Sequence, residues 1–142
     1  MSLPSVLAPV FVQVLLTFGL LIWTGRARFA AARAGAVKVE RIAMGERNWP
    51  APAQQVANAF ANQFELPVLF YALTAFAVLT RKADLVFVIM AWAFVLTRIA
   101  HAFVYATTNP LMLRFRIFLA GALVLMAMWV VFAVRILLAP VA

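Results

Sequence analysis

Four apolar runs, each long enough to cross a bilayer and each ended by basic or turn-forming residues, limit what this chain can become. They cover about residues 6–28, 53–80, 85–106 and 113–138. A hydrocarbon core about 30 Å thick needs roughly 20 apolar residues of helix. Of the 142 residues 68% are hydrophobic and 11% are charged, and the mean hydropathy is +1.05. Soluble domains have an apolar share of only about 45–50%. A water-soluble fold of this length has no interior large enough to hide that surface. The pattern predicts an all-α integral membrane four-helix bundle, a single domain over residues 1–142 with no internal repeat.

The segments between the runs define its layout. The first run lacks a basic leader and is too long for a signal-peptide core, so it is read as a retained span with Gln13 as its only amide. It ends at Thr24-Gly25-Arg26-Ala27-Arg28; the alanines beyond extend the helix to about Ala34, with Gly35 as its stop. Asn48-Trp49-Pro50-Ala51-Pro52 reads as an interfacial turn with Trp49 at headgroup level. The second run, roughly 40 Å long as a continuous helix, exceeds the hydrocarbon thickness and projects its polar start toward the headgroups. Arg81-Lys82-Ala83-Asp84 predicts a tight turn between antiparallel spans, and Thr107-Thr108-Asn109-Pro110 breaks the third span. The fourth opens with Arg114 and Arg116 and closes with Arg135 before Pro140.

The net charge is +8, from twelve Lys and Arg against four acids. In a soluble protein that balance would point to nucleic acid. Here most basic residues flank apolar runs, where they set topology and meet anionic lipid headgroups. Arg26, Arg28, Arg33, Lys38, Arg41 and Arg47 lie in the first connection, and Arg114 and Arg116 lead into the last span. Only Arg81, Lys82 and Arg135 fall on the other side. The bias predicts N- and C-termini outside and the 1–2 and 3–4 loops in the cytoplasm. The chain has no cysteine, which removes disulfides, thiolate metal sites and a protein thiol nucleophile. With one histidine and four acids, no metal site is expected.

Against this apolar background a few polar residues stand out. Asn58, Asn62 and Glu65 are spaced i, i+4, i+7 on one helical face of the second span. Pro67, inside the same span, leaves the Gln63 carbonyl without its usual donor. Arg98, His101 and Tyr105 share a face of the third span. Each residue has an ordinary explanation: Arg98 snorkelling to the interface, His101 and Asn58 in interhelical hydrogen bonds, Tyr105 in an aromatic belt. With Arg28 ending span one and Arg114 opening span four, however, four helices bring polar groups to one level near the cytoplasmic side. An intramembrane charge is costly and points by default to a functional site. Arg98 or Arg28 could neutralise Glu65, or Glu65 could receive a ligand ammonium while the arginines take ligand carboxylates. The arginines outnumber Glu65, so the cluster favours an anionic or zwitterionic ligand.

Asn62-x-x-Glu65-x-Pro67, Arg98-x-x-His101-x-x-x-Tyr105 and Arg114-x-x-x-Phe118-x-x-Gly121, in that order along four spans, resemble the MAPEG family, the membrane-associated proteins in eicosanoid and glutathione metabolism. The resemblance covers nearly the whole chain. It implies a homotrimer with glutathione held between subunits near the cytoplasmic side. It further implies Arg28, Asn62, Glu65, His101 and Tyr105 as glutathione contacts and Arg98 as an arginine that steadies the site. Arg114 matches the arginine that stabilises the glutathione thiolate; it has the family spacing to Phe118 and Gly121, which Arg116 lacks. Tyr105 is a second catalytic candidate, as a hydrogen-bond donor to sulfur. Two positions depart from the family pattern: Ala61 stands where an arginine is expected and Gln63 where an acid is expected, which removes one carboxylate clamp.

Three functions remain open at this stage. The first is a glutathione-dependent transferase or peroxidase that activates the thiol for attack on lipophilic electrophiles from the bilayer. The second, prompted by the missing basic residues at Asn58 and Ala61, is a non-catalytic trimer that binds another small anion or a lipid headgroup. The third is a small multidrug-type transporter, which would carry its acid in the first span, free of arginines; here that span has no acid and Glu65 has basic company.

Overall fold

The computed structural model describes residues 1–46 and 48–138. Arg47, counted above among the basic residues of the first connection, and Pro140, read as following the last span, lie outside the described residues. The elements are α1 (Leu3–Arg33), α2 (Val39–Ala43), α3 (Ala51–Ala61), a 3₁₀ turn (Asn62–Phe64), α4 (Leu66–Leu79), α5 (Leu85–Ala106) and α6 (Leu111–Leu137). Taking α3 to α4 together, four helices are long and apolar enough to cross a membrane.

Helix ends follow local chemistry. Gly35 takes a φ of +69°, its N–H donates to the Ala32 carbonyl and that of Ala36 to Ala31, which closes α1 as expected. At the end of α4 the same pattern recurs with Arg81 at φ +56°: Arg81 N–H donates to Val78 and Lys82 N–H to Ala77. Asp84 then caps α5, its Oδ1 accepting from the Phe87 N–H at 2.9 Å. The other carboxylate oxygen is 2.7 Å from Arg135 near the end of α6, which ties that edge of the bundle together.

α5 is the most enclosed span. It packs against α1, α3 and α6, while α4 reaches α1 and α6. One core cluster joins Phe70 and Leu73 of α4 to Phe87, Phe94 and Val95 of α5 and Leu125 and Met128 of α6. A second joins Leu20 of α1, Val56 and Ala59 of α3, and Ala102 and Ala106 of α5. The alanines let α1, α3 and α5 approach closely, as packing in lipid requires. Leu15, Ile22, Ile89, Leu119 and Val130 lie exposed on the outside, an apolar surface suited to acyl chains.

The second span differs from the continuous helix expected. It is interrupted at 62–65, with Glu65 at φ −101°, ψ −107°, and Pro67 falls in the first turn of a new helix rather than in a helix interior. A proline at that point removes an N–H that would be orphaned anyway, so the restart costs little. In hydrocarbon the groups at the break must be satisfied by protein. Gln63, 2% exposed, donates Nε2 to the Ala59 carbonyl at 2.9 Å and accepts on Oε1 from Gln13 Nε2 at 2.8 Å. Gln13 is fully buried in α1. The two amides therefore bolt the break in span two to span one.

Gln13→Ala should strip the partner from the buried Gln63 carbonyl oxygen. A loss of about 1–2 kcal/mol is expected, read as a lower unfolding temperature in detergent micelles; unchanged stability would deny the amide pair its role. The Asp84 carboxyl is held below the ordinary Asp range, chiefly by its hydrogen bond to Arg135. Its stabilisation is present above the unfolded-state pKa and fades as pH falls through the folded-state one. Asp84→Asn keeps a capping side chain, so the stability gap to the parent should be under about 1 kcal/mol at pH 7, given the exposure of the pair. That gap should close on acidification below about pH 4, as measured by thermal unfolding across pH.

Candidate functional site

The interruption in span two sets Asn62 at the edge of an open cleft of about 230 Å³. Its other walls are His101 and Tyr105 of α5 and Leu111, Arg114, Phe115 and Phe118 of α6. Asn62 Nδ2 donates to Glu65 Oε2 at 2.8 Å, while Asn62 Oδ1 is buried with no partner among the described residues. His101 is 3% exposed, its ring 5.7 Å from each of Tyr105 and Phe118, and its Nδ1 is likewise buried and unpaired. Buried polar atoms are nearly always hydrogen-bonded. Two such exceptions among the described residues belong to side chains that line this cleft.

The cation of the cleft is Arg114. Its guanidinium carbon lies 4.1 Å from the centre of the Tyr105 ring, and Nη1 donates to Asn109 Oδ1 at 2.6 Å. Stacking on an aromatic face holds the guanidinium without spending its charge or its in-plane donors. Arg98 has a different environment. It is 1% exposed, with Nη2 donating to the Phe118 carbonyl at 3.3 Å and the Phe94 and Phe118 rings 5.6 and 5.3 Å from its guanidinium carbon. Its Nε and Nη1 have no partner among the described residues. Arg98 does not snorkel to the interface: it is sealed between α5 and α6, on the buried side of the residue that walls the cleft.

Glu65, Asn58 and Arg28 sit differently from the four cleft residues. Glu65 is exposed and bonded to Asn62, and among the described residues it forms no ion pair with Arg98 or Arg28. Of the two roles open to Glu65, pairing with an arginine is thus not the one seen within this chain, and the break leaves the acid facing outward. Asn58 accepts from Gln54 Nε2 one turn back at 2.6 Å rather than bonding across helices. Arg28 does not line the Arg114 cleft. It lies 5.1 Å over the Trp49 ring and borders two other hollows, one of about 410 Å³ with Glu46, Gln54 and Asn58 and one of about 520 Å³ with Thr24, Phe60 and Phe64. The same contact draws Trp49 against α1. Within one chain the structure thus gathers Asn62, His101, Tyr105 and Arg114, attaches Glu65 through Asn62, seals Arg98 behind them, and leaves Arg28 on another face.

The Gln13–Gln63 pair and Asn109 were not singled out from sequence. Gln13 and Gln63 are 50 positions apart with no pattern to link them. Asn109 did carry a signal, an Asn-Pro step five residues before the arginine, but it reads equally as a plain turn.

A family model described as MAPEG family matches residues 6–134, from the first turns of α1 to the last turn of α6. The chain belongs to the MAPEG family. No curated protein and no solved structure gives a significant match.

In this MAPEG protein Gly121 has a specific task. A Cβ built there would lie 2.5 Å from Thr97 Oγ1 and 2.6 Å from Arg98 Nη2. Only a residue without Cβ lets the Arg98 guanidinium lie flat across α6. Gly121→Ala should therefore displace Arg98 or part α5 from α6, at about 1–3 kcal/mol. The measurement is thermal unfolding of the purified protein, and an unaltered midpoint would show that the Arg98 side chain yields freely.

Proposed function

We propose that this MAPEG-family membrane protein is a homotrimeric, glutathione-dependent enzyme that uses the Asn62–His101–Tyr105–Arg114 cleft to activate the thiol. The observation that carries the reading is a guanidinium stacked on Tyr105 and, among the described residues, without an ion pair, in one cleft lined by Asn62 and His101. Family membership supplies the ligand class, and the residues present suit it. Arg114 offers a cation for the sulfur or a carboxylate, Asn62 and His101 offer hydrogen bonds, and Glu65 offers an anion to the peptide ammonium.

The chemistry follows from the charge. A free thiol has a pKa near 8.5, and an adjacent cation lowers it. Each unit of lowering requires about 1.4 kcal/mol of preferential thiolate stabilisation. Arg114, half-buried and stacked on Tyr105, is placed to provide it, with the Tyr105 hydroxyl as a further donor to sulfur. The thiol proton passes to water. With an aryl halide, the sulfur forms the C–S bond as the carbon–halogen bond breaks and halide leaves.

Arg28 enters this proposal from a neighbouring subunit. In its own chain it faces the α1–α3 hollows, away from the Arg114 cleft, which accords with the intersubunit ligand site implied by the family resemblance. The positive-inside bias supports a cytoplasmic placement of the cleft, with both termini on the opposite side.

Glutathione should raise the unfolding temperature of the purified protein in proportion to the logarithm of its concentration above Kd. A generic aryl halide should be conjugated at a rate that Arg114→Ala lowers about 10–100-fold at pH 7, the consequence of losing one to two pH units of thiol activation. An Arg114→Ala enzyme as active as the parent would remove Arg114 from the mechanism. Stabilisation by an anionic phospholipid but not by glutathione would favour the non-catalytic, lipid- or anion-binding reading instead.

A further inference from the structure

Arg114 is also bonded from outside the cleft, by Asn109 in the turn between α5 and α6. Asn109 has a φ of +51°, and its backbone N–H donates to the Val104 carbonyl at 2.8 Å. That conformation is open to glycine, asparagine and aspartate and costly to most other residues. Backbone geometry alone would therefore accept any of the three. The side chain distinguishes them. Asn109 Oδ1 accepts from Arg114 Nη1 at 2.6 Å, the hydrogen bond that, among the described residues, the structure gives to the Arg114 side chain.

We propose that Asn109 is a positioning residue for Arg114: its neutral carbonyl oxygen fixes one edge of the guanidinium while Tyr105 fixes its face, so that the remaining donors point to the ligand with the positive charge intact. This deepens the thiol-activation reading and rests on it. Glycine would keep the turn but offer no acceptor, leaving the guanidinium held by stacking alone. Aspartate would keep the turn and the acceptor but place an opposite charge within hydrogen-bonding distance, and a guanidinium paired with a carboxylate stabilises a second anion much less. The short, neutral amide is the choice among turn-compatible side chains that orients without neutralising. Pro110 follows directly and begins the approach to α6, so the spacing from Asn109 to Arg114 is set by a fixed turn and the first turn of that helix.

The test compares the full-length protein with Asn109→Gly and Asn109→Asp, with glutathione as the probe. Bound thiolate is followed by its ultraviolet absorbance across pH, together with aryl halide conjugation and thermal unfolding. The other charged or titratable groups on the elements around the cleft, Glu65, Arg98, His101, Tyr105, Arg114, Arg116 and the distant Arg135, are the same in all three proteins. In Asn109→Asp the thiol of bound glutathione should titrate about one pH unit higher than in the parent, a roughly tenfold loss of thiolate at pH values below that range. Asn109→Gly should lose activity a few-fold, with unfolding temperature close to that of the parent.

If both variants bind glutathione with the parent's thiol titration and rate, the positioning role is overturned and thiol activation stands. Variants that melt earlier without any shift in thiol titration would likewise reduce Asn109 to a turn former and overturn the inference. A parent protein that neither binds glutathione nor lowers its thiol pKa would overturn this inference and the proposed function together. Should Asn109→Asp fail to fold, the rate and titration of Asn109→Gly decide the matter alone, unchanged values counting against it.

Discussion

A helix interrupted within hydrocarbon must find hydrogen-bond partners in protein, because lipid offers none. In this chain two side-chain amides, Gln13 and Gln63, both buried, tie span one to the break in span two, and Gln63 also bonds the Ala59 carbonyl just before it. Once they hold span one to the break in span two, the 3₁₀ turn at Asn62–Phe64 and the restart at Leu66 become a stable feature. The break in turn moves Asn62 to the wall of the cleft and turns Glu65 outward beside it. A continuous helix would have kept both on the face they share with Asn58. The local irregularity is thus what separates a lined cleft from a buried polar stripe.

Two arginines near the cleft illustrate how burial assigns roles to identical chemistry. Arg98 is enclosed by Phe94, Phe118 and the gap left by Gly121, where its charge is balanced by ring faces and a carbonyl rather than by an acid. No ligand large enough to matter reaches it without parting α5 from α6, so its contribution is to the join between those helices. Arg114, one turn into α6 and held by Tyr105 and Asn109, keeps an accessible edge. Phe118 stands between the two, packing on His101 on one side and under Arg98 on the other. The sealed cation stiffens the wall against which the accessible one works.

Much of this was legible before any coordinates. Four long apolar runs, the basic flanks and the order of Asn62, Glu65, Arg98, His101, Tyr105 and Arg114 were sufficient for membrane helices and for the family that the 6–134 match establishes. Gly35 as the stop of α1 followed from its freedom at positive φ. The contacts that failed were those inferred from helical phase across Asn58 to Glu65, since phase is lost at a break and Pro67 signals a break as readily as a kink. Arg28 shows a different limit: two residues at one depth can face different sides of a bundle, and in its own chain Arg28 borders other hollows than the Arg114 cleft.

The sequence by itself determined the solvent of this protein, the number and approximate extent of its apolar spans, and the small set of polar residues that must have a purpose, because hydropathy and the cost of intramembrane charge act residue by residue. Only the tertiary structure decided which of those residues meet. That Gln13 finds Gln63, that Arg98 is sealed while Arg114 is open, and that Arg28 faces away depend on the rotation of each helix about its axis, which is set by the packing of alanine, glycine and phenylalanine between helices and has no signature in any one of them.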